Sequence, residues 1–189
     1  NTQDLVARSP EADCWELIYE DITTAVSLLG KTTSYHYVSQ DAAKALKARI
    51  CLYMDKKEEA KNLAEELITS GAYKLDTFEK IFNTYPTRSN NSETIFAFMC
   101  LDQAQSGIQL GNEFYSYDYQ YKGKGTYTVP KDFFDSWEAN DNRKARSVVY
   151  EGGYYRLNKY PAGQGGTDPV NISRIAEMYL ISAEAQGYP

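Results

Sequence analysis

The stretch from Ser39 to Gly71 constrains the fold most, because it predicts two α-helices joined by a very short turn. In its first half, one apolar face carries Ala43, Leu46, Ile50 and Tyr53, and another carries Ala42, Ala45 and Leu52. In its second half, over about residues 57–70, the inward positions are Ala60, Leu63, Ala64, Leu67 and Ile68. All three sets follow helical spacing, and the small residues allow a neighbouring helix to approach closely. Since only the polar turn "DKK" separates the halves, the helices must lie antiparallel. This predicts a helical hairpin of the size of one tetratricopeptide-like unit.

Further helices and a strand are predicted on either side of this hairpin. A helix over about residues 10–29 follows from the apolar stripe Ile18, Tyr19, Ile22, Val26 and Leu29, with Trp15 in the core. Ser9 is placed to cap its first turn, and Gly30 to close it in the left-handed conformation. A strand is predicted over residues 94–100. A short helix after Pro130 would turn Phe133, Phe134 and Trp137 inward, and a last helix is predicted over about residues 171–187.

Charge and the reactive side chains exclude several classes of function. The formal charge of −6 and the pI near 4.9 leave no broad cationic surface for nucleic acid or acidic lipid. His36 is the single histidine, and it lies in a polar turn, so a histidine triad or an ordinary zinc site is not expected. The odd number of cysteines, Cys14, Cys51 and Cys100, predicts packed and reduced thiols rather than a disulfide framework. No cofactor is expected, and the glycine-rich "PAGQGGTDP" is interpreted as a linker, since it lacks the ending of a phosphate-binding loop.

Five segments in a fixed order resemble SusD/RagB-type proteins. They are "DAAKALKARICLYMDKKEEAKNLAEELITSGAYKL" at 41–75, "NSETIFAF" at 91–98, "NDNRKARS" at 140–147, "NKYPAGQ" at 158–164 and "ISRIAEMYLISAEA" at 172–185. The resemblance implies a mainly α fold with tetratricopeptide-like helical hairpins, long irregular loops and few short strands. It implies a single partial domain, with helical repeats at about 10–70, a loop-rich and ligand-facing part at about 71–170, and a C-terminal helix at about 171–187.

The same resemblance implies a nutrient-binding lipoprotein on the surface of the outer membrane of Bacteroidota-type bacteria. Such proteins capture an oligosaccharide or polysaccharide, or sometimes a peptide, and cover a TonB-dependent, SusC-like transporter in polysaccharide utilization. They bind and do not cleave. Membrane attachment would come only from an N-terminal lipid outside this chain, because "EADC" before and at Cys14 lacks the small and apolar residues of a lipidation site. The chain is therefore expected to be a piece of a longer protein.

The stretch "NEFYSYDYQYKGKGTY" at residues 112–127 is the predicted ligand-binding segment. A sugar ring has an apolar C–H face and a rim of hydroxyls, which aromatic rings and polar side chains match respectively. The candidate ligand-binding residues are Asn112, Tyr115, Tyr117, Asp118, Tyr119, Gln120, Tyr121 and Tyr127. The alternation of tyrosines at every second position also fits one face of a strand packed on the helices, with its hydroxyls reaching water. The sequence leaves both interpretations open.

Two other functions are weighed against glycan binding. An enzyme would need two carboxylates beside the scissile bond, and Glu113 and Asp118 are the acidic pair within the aromatic segment. A helical-repeat adaptor would instead bind a protein partner through a concave face, with no role for sugars. Five charged residues are interpreted structurally. Asp141 and Arg143 are expected to form a pair at a chain turn. Arg174, Glu177 and Glu184 are expected to form ion pairs on the last helix, where Arg174 and Glu177 lie one turn apart.

Overall fold

The structure is a computed structural model that describes residues 7–32, 34–81, 92–98, 127–159 and 170–187. Its helices are α1 (Glu11–Leu28), α2 (Gln40–Tyr53), α3 (Lys57–Thr69), α4 (Phe78–Ile81), α5 (Lys131–Ser136), α6 (Asn142–Ser147) and α7 (Ile175–Ala185). Its strands are β1 (Thr94–Phe98), β2 (Val148–Glu151), β3 (Tyr154–Leu157) and β4 (Val170–Arg174). The predicted mainly α fold, with a helical hairpin and a few short strands, is confirmed.

Helices α2 and α3 form the predicted antiparallel hairpin, and α7 packs against both. The hydroxyl of Ser39 accepts a hydrogen bond of 3.1 Å from the N–H of Ala42, and Gly71 takes the left-handed conformation just after α3. The core between the three helices is built around Ala45, Ala48, Cys51, Ala60, Ala64, Leu67, Ile175, Met178 and Ile181. The inward positions predicted for Leu46 and Tyr53 are wrong: both are exposed, because α2 buries its small residues instead.

Helix α1 packs on α2 through Ile22, and its ends differ from the prediction. The residue before the helix is Pro10, and no side chain caps the first turn, so Ser9 does not have the predicted role. At the other end the backbone leaves the helix in the extended conformation at Leu29, without the left-handed closure predicted at Gly30. Trp15 is half-buried against this second part of the core rather than enclosed in it.

A polar network joins α1 to the hairpin. Glu59 on α3 accepts a hydrogen bond of 2.8 Å from the hydroxyl of Tyr19 on α1 and forms a 2.7 Å ion pair with Lys47 on α2. The ammonium groups of Lys47 and Lys56 also lie over the ring of Tyr19, at 4.9 and 3.1 Å from its centroid. Desolvation opposes the charged form of Glu59, but the hydrogen bonds from Lys47 and Tyr19 outweigh it, so the pKa of this carboxyl is lowered.

Residues 171–174, which the sequence assigned to the last helix, belong to strand β4. β4 pairs antiparallel with β1, and α7 begins only at Ile175. Arg174 therefore lies in a strand and pairs with Glu93, 2.7 Å away, instead of sharing a helix face with Glu177. Glu177 binds Arg49 of α2 through hydrogen bonds of 2.5 and 2.7 Å, and Glu184 is exposed.

The two cysteines that the structure describes differ in exposure. Cys51 is buried as predicted, and burial raises the pKa of its thiol to about 11. Cys14 is exposed, so the prediction that it packs in the interior is wrong, and Cys100 lies outside the described residues.

Of the helices that the structure describes, none has the length and apolar character needed to cross a membrane.

Candidate functional site

Of the predicted ligand-binding residues, Tyr127 lies in the part of the chain that the structure describes. Asn112, Tyr115, Tyr117, Asp118, Tyr119, Gln120 and Tyr121 lie outside the described residues, as do Glu113 and the rest of the segment before Tyr127. Tyr127 is 51% exposed, so its ring is available to a ligand. The candidate site is therefore built from the residues that follow it.

A two-stranded hairpin follows Tyr127 in the fold. β2 and β3 pair antiparallel, with Tyr150 opposite Tyr155 and Glu151 opposite Tyr154. Gly152 and Gly153 connect the strands, with φ angles of 59° and 83°. Two successive residues with positive φ are typical of the type I′ turn, whose twist suits a hairpin, and glycine adopts them without steric cost.

The chain after Tyr127 runs along the free side of β3. Thr128 forms an isolated bridge with Arg156, and the N–H of Val129 donates a hydrogen bond of 2.7 Å to the carbonyl of Tyr155. The end of the predicted ligand-binding segment is thus attached directly to the hairpin.

Aromatic rings pack one on another where α5 meets the hairpin. The ring of Phe134 stacks on Tyr155, with centroids 4.5 Å apart, and Tyr155 contacts Tyr150 across the strands at 4.8 Å. The ammonium group of Lys144 lies 4.5 Å from the centroid of Phe134. The two ring pairs contribute about 0.5–1.5 kcal/mol each beyond the area that they bury. These contacts hold Phe134, Tyr155 and Tyr150 in place relative to one another.

Three rings around this contact remain largely exposed, and together they form what we name the aromatic surface. They are Tyr127, Phe133 and Tyr150, each between 51% and 64% exposed. Tyr154 is also exposed, but it lies on the opposite face of the hairpin from Tyr150 and Tyr155, because successive side chains of a strand point to opposite faces. Arg156 shares that face and lies 5.1 Å from the centroid of the Tyr154 ring. The inward face predicted for α5 is correct for Phe134 but wrong for Phe133, because a helix of six residues covers the hairpin with one turn only.

Sequence reasoning overlooked the hairpin part of this surface. The segment "VVYEGGYYRL" at 148–157 contains the signal, since two short runs rich in β-branched and aromatic residues are separated by Gly-Gly. The sequence analysis predicts no strand there. Tyr150 was therefore not among the predicted ligand-binding residues.

Other concave surfaces fit a ligand less well. A depression of about 560 Å³ beside α2 and α3 is lined by charged groups that already bind one another or a neighbour: Lys44 pairs with Glu66, and Asp41 accepts a hydrogen bond of 3.0 Å from Tyr73. A groove of about 140 Å³ between α1, α2 and β4 is almost wholly apolar. Among the described residues, no group of His, Cys, Asp and Glu side chains could hold a metal ion.

Comparison with known proteins identifies the fold. No protein-family model and no curated protein matches the sequence. Among solved structures, a SusD superfamily protein from Bacteroides vulgatus is 26% identical with a TM-score of 0.74, covering 98% of this chain and 44% of its own. Another from Bacteroides thetaiotaomicron is 25% identical with a TM-score of 0.70, covering 94% of this chain and 43% of its own.

A third structure is similar in fold at lower identity. It is the surface glycan-binding protein A from Bacteroides thetaiotaomicron in complex with laminarihexaose, which is 19% identical with a TM-score of 0.72 and covers 91% of this chain and 49% of its own. The chain spans less than half the length of each of these three proteins. The resemblance inferred from the sequence is confirmed: over the part of their length that it spans, the chain is similar to SusD superfamily proteins.

Proposed function

We propose that the protein binds an oligosaccharide or polysaccharide at the cell surface and does not cleave it. The observation that carries this proposal is the aromatic surface, where three half-exposed rings, two of them bearing hydroxyl groups, surround the contact between Phe134 and Tyr155. This combination matches the apolar face and the hydroxyl rim of a sugar. The laminarihexaose bound to a protein of the same fold supports it.

The proposed contacts include the predicted segment as well as the hairpin. Tyr127 ends that segment at the aromatic surface, and so we propose that Asn112, Tyr115, Tyr117, Asp118, Tyr119, Gln120 and Tyr121 contribute to the same ligand site. If a ring covers roughly 40–50 Å² of a sugar face, each stack contributes about 1 kcal/mol. Three stacks give affinity in the millimolar range before the entropic costs of binding. Affinity of that order suits a receptor that meets many copies of a repeating polymer.

Location and partner follow from the family and belong to the proposal. SusD-like structures from Bacteroides species include a protein named for surface glycan binding. We place this protein on the outer membrane, held by an N-terminal lipid outside this chain, where it delivers glycan to a TonB-dependent, SusC-like transporter. The helical part at about 10–70, the ligand-facing part at about 71–170 and the C-terminal helix form one domain in this proposal.

Affinity electrophoresis in gels that contain a neutral polysaccharide tests the binding. Laminarin, pullulan and galactomannan are suitable, and retardation by at least one is expected. Tyr150→Ala should weaken binding about fivefold, the equivalent of about 1 kcal/mol per stack, and Tyr117→Ala and Tyr119→Ala test the predicted segment. Tyr53→Ala is the matched control, because Tyr53 is 75% exposed on the helical hairpin. Release of reducing ends, abolished by Glu113→Gln, would contradict binding without cleavage.

A protein-binding adaptor is the second candidate. The observation that favours it is a group of exposed apolar side chains on the helical part, Leu28, Tyr37, Val38 and Tyr53. Under this alternative, extracts that contain the transporter would bind the protein, no polysaccharide would retard it, and Tyr53→Ala rather than Tyr150→Ala would weaken binding.

A further inference from the structure

We propose that the depression around Trp137 is a second sugar subsite, which accepts an uncharged and hydroxyl-rich unit of the glycan. This inference rests on the proposed function and adds to it a separate site and a ligand class. The sequence interpretation had placed Trp137 in the core. The structure instead leaves this indole half-buried, at the floor of an open depression.

The depression has a volume of about 660 Å³ and lies where α5 ends and α6 begins. It is lined by Trp137, Glu138, Asn140, Asp141, Asn142 and Arg143, together with Ser136. One aromatic plane surrounded by amides and carboxylates is the arrangement that a sugar requires, since each amide both donates to and accepts from hydroxyls. Asn140 and Asn142 are exposed and can reach such a ligand.

Trp137 is held from several sides. Its backbone carbonyl accepts a hydrogen bond of 3.0 Å from the ammonium of Lys144, and its backbone N–H donates to the carbonyl of Phe134 at 3.4 Å. The edge of the Phe133 ring contacts the indole, with centroids 5.4 Å apart. The guanidinium of Arg143 lies 5.8 Å from the indole ring. A platform that is fixed before binding loses less entropy when a sugar stacks on it.

The charges around the depression favour an uncharged ligand. Arg143 is already bound to Asp141, through hydrogen bonds of 3.0 and 3.1 Å from Nε and 2.6 Å from Nη2. The hydrogen bond from Arg143 lowers the pKa of Asp141, so this pair stays ionised and neutralises itself at neutral pH. Glu138 then adds a negative charge that nothing in the lining balances. A uronate or sulfate would find no unpaired cation among the lining residues, whereas a neutral sugar can use the remaining hydrogen-bonding capacity.

Phe133 connects the subsite with the aromatic surface. Its ring is 52% exposed and contacts Trp137 directly, so the depression adjoins the surface that binds the glycan in our proposal. A chain of several sugar units can occupy both, whereas a single unit occupies one. Longer neutral chains should therefore bind more tightly than short ones.

Tryptophan fluorescence gives a direct test, because the sequence contains only two tryptophans. Trp15→Phe leaves Trp137 as the single indole. Adding laminarihexaose, laminarin or pullulan should change its emission and protect it from quenching by acrylamide, while polygalacturonate should do neither. In the otherwise unchanged protein, Trp137→Ala and the double variant Asn140→Ala/Asn142→Ala should each weaken binding of the neutral glycan about fivefold. Glu138→Gln should reduce the discrimination against polygalacturonate.

The outcomes separate this inference from the proposed function. Tyr53→Ala is the control and should leave fluorescence and affinity unchanged, and circular dichroism checks that each variant is folded. A glycan that retards the protein without altering the emission of Trp137, with full affinity in Trp137→Ala and in the double asparagine variant, would overturn the subsite and leave the proposed function intact. Stronger binding of polygalacturonate than of any neutral glycan at this indole would overturn the ligand class. Binding of no polysaccharide at all would remove the proposed function and the subsite with it.

Discussion

At the scale of single residues, Glu59 contributes to the pH dependence of stability. Its pKa is lowered in the folded protein by Lys47 and Tyr19, despite the opposing effect of burial. A carboxyl with a lowered pKa stabilises the fold above its unfolded value of about 4.3, and this contribution is lost as pH falls through the folded value. We therefore expect Glu59→Gln to lower Tm by about 2–4 °C at pH 7, corresponding to roughly 1 kcal/mol.

The difference between wild type and Glu59→Gln should shrink as the pH is lowered below about 4. Thermal unfolding followed by circular dichroism between pH 3 and 8 measures it. Glu58→Gln is the matched control, since this neighbouring carboxyl is exposed, and it should change Tm by less than about 1 °C. A Tm difference for Glu59→Gln that stays constant over the whole pH range would contradict the proposed network.

Arg49 and Glu177 form the ion pair that joins α2 to α7. Both side chains are about 30% exposed, and Arg49 also donates a hydrogen bond of 2.7 Å to the carbonyl of Ile172. Arg49→Met would leave a carboxylate and a carbonyl without their donor, at a cost of about 2 kcal/mol. Urea unfolding should show this loss. Asp135→Asn removes the exposed pair with Lys131 and should cost less than about 0.5 kcal/mol; equal losses in the two variants would contradict the special role of Arg49.

At the scale of elements, the Gly152–Gly153 turn sets the shape of the aromatic surface. Both residues have positive φ, and a Cβ at either position would meet no other atom within 4 Å. The cost of Gly153→Val therefore comes from the backbone alone, at about 1–2 kcal/mol. Because the turn fixes the position of Tyr150, we expect this variant to weaken glycan binding while the helical signal in circular dichroism is unchanged.

Gly152→Asn is the control for the turn, since asparagine tolerates the left-handed conformation and Asn-Gly is a preferred type I′ pair. It should retain most of the affinity for neutral glycan in the same electrophoresis assay. Full binding by Gly153→Val would show that the hairpin does not position the contacts.

The contact between α2 and α3 depends on alanines that no larger residue can replace. Ala48 and Ala64 have no exposed surface in the core between the helices. Ala64→Leu would force the helices apart and should cost about 1–3 kcal/mol in denaturant unfolding. Asn62→Leu, at an exposed position of the same helix, should change stability by no more than about 0.5 kcal/mol. A tolerated Ala64→Leu would show that this contact is loosely packed.

Local sequence signals explain which elements could be predicted. The hairpin of α2 and α3 was predictable because its spacing, its cap at Ser39 and its stop at Gly71 all act within a few residues. Strand β4 was not, since its pairing partner β1 lies far away in the sequence and Ile172 fits a helical stripe that continues into α7. Arg174 was misassigned for the same reason: its partner Glu93 is close only once the two strands have paired.

At the scale of the whole molecule, the residue types that a sugar site needs can be identified in the sequence, whereas their arrangement on one surface cannot. The abundance of tyrosines indicated a neutral and hydroxyl-rich ligand, and Tyr127 is exposed as that interpretation requires. Which rings share a surface depends on the register of β2 and β3 and on the packing of Phe134 against Tyr155. Neither is encoded in local spacing, and for that reason Trp137 was interpreted as a core residue.

The central claim is that a helical frame presents an aromatic surface on which a neutral glycan binds. Hydroxyl-radical footprinting with mass spectrometry, with and without laminarin or another glycan that retards the protein, tests it most directly. Our account predicts that the glycan protects Tyr127, Phe133 and Tyr150 from oxidation, while Tyr37 and Tyr53 on the helical part remain as reactive as before. Protection of Tyr37 and Tyr53 alone, with the aromatic surface unprotected, would contradict it.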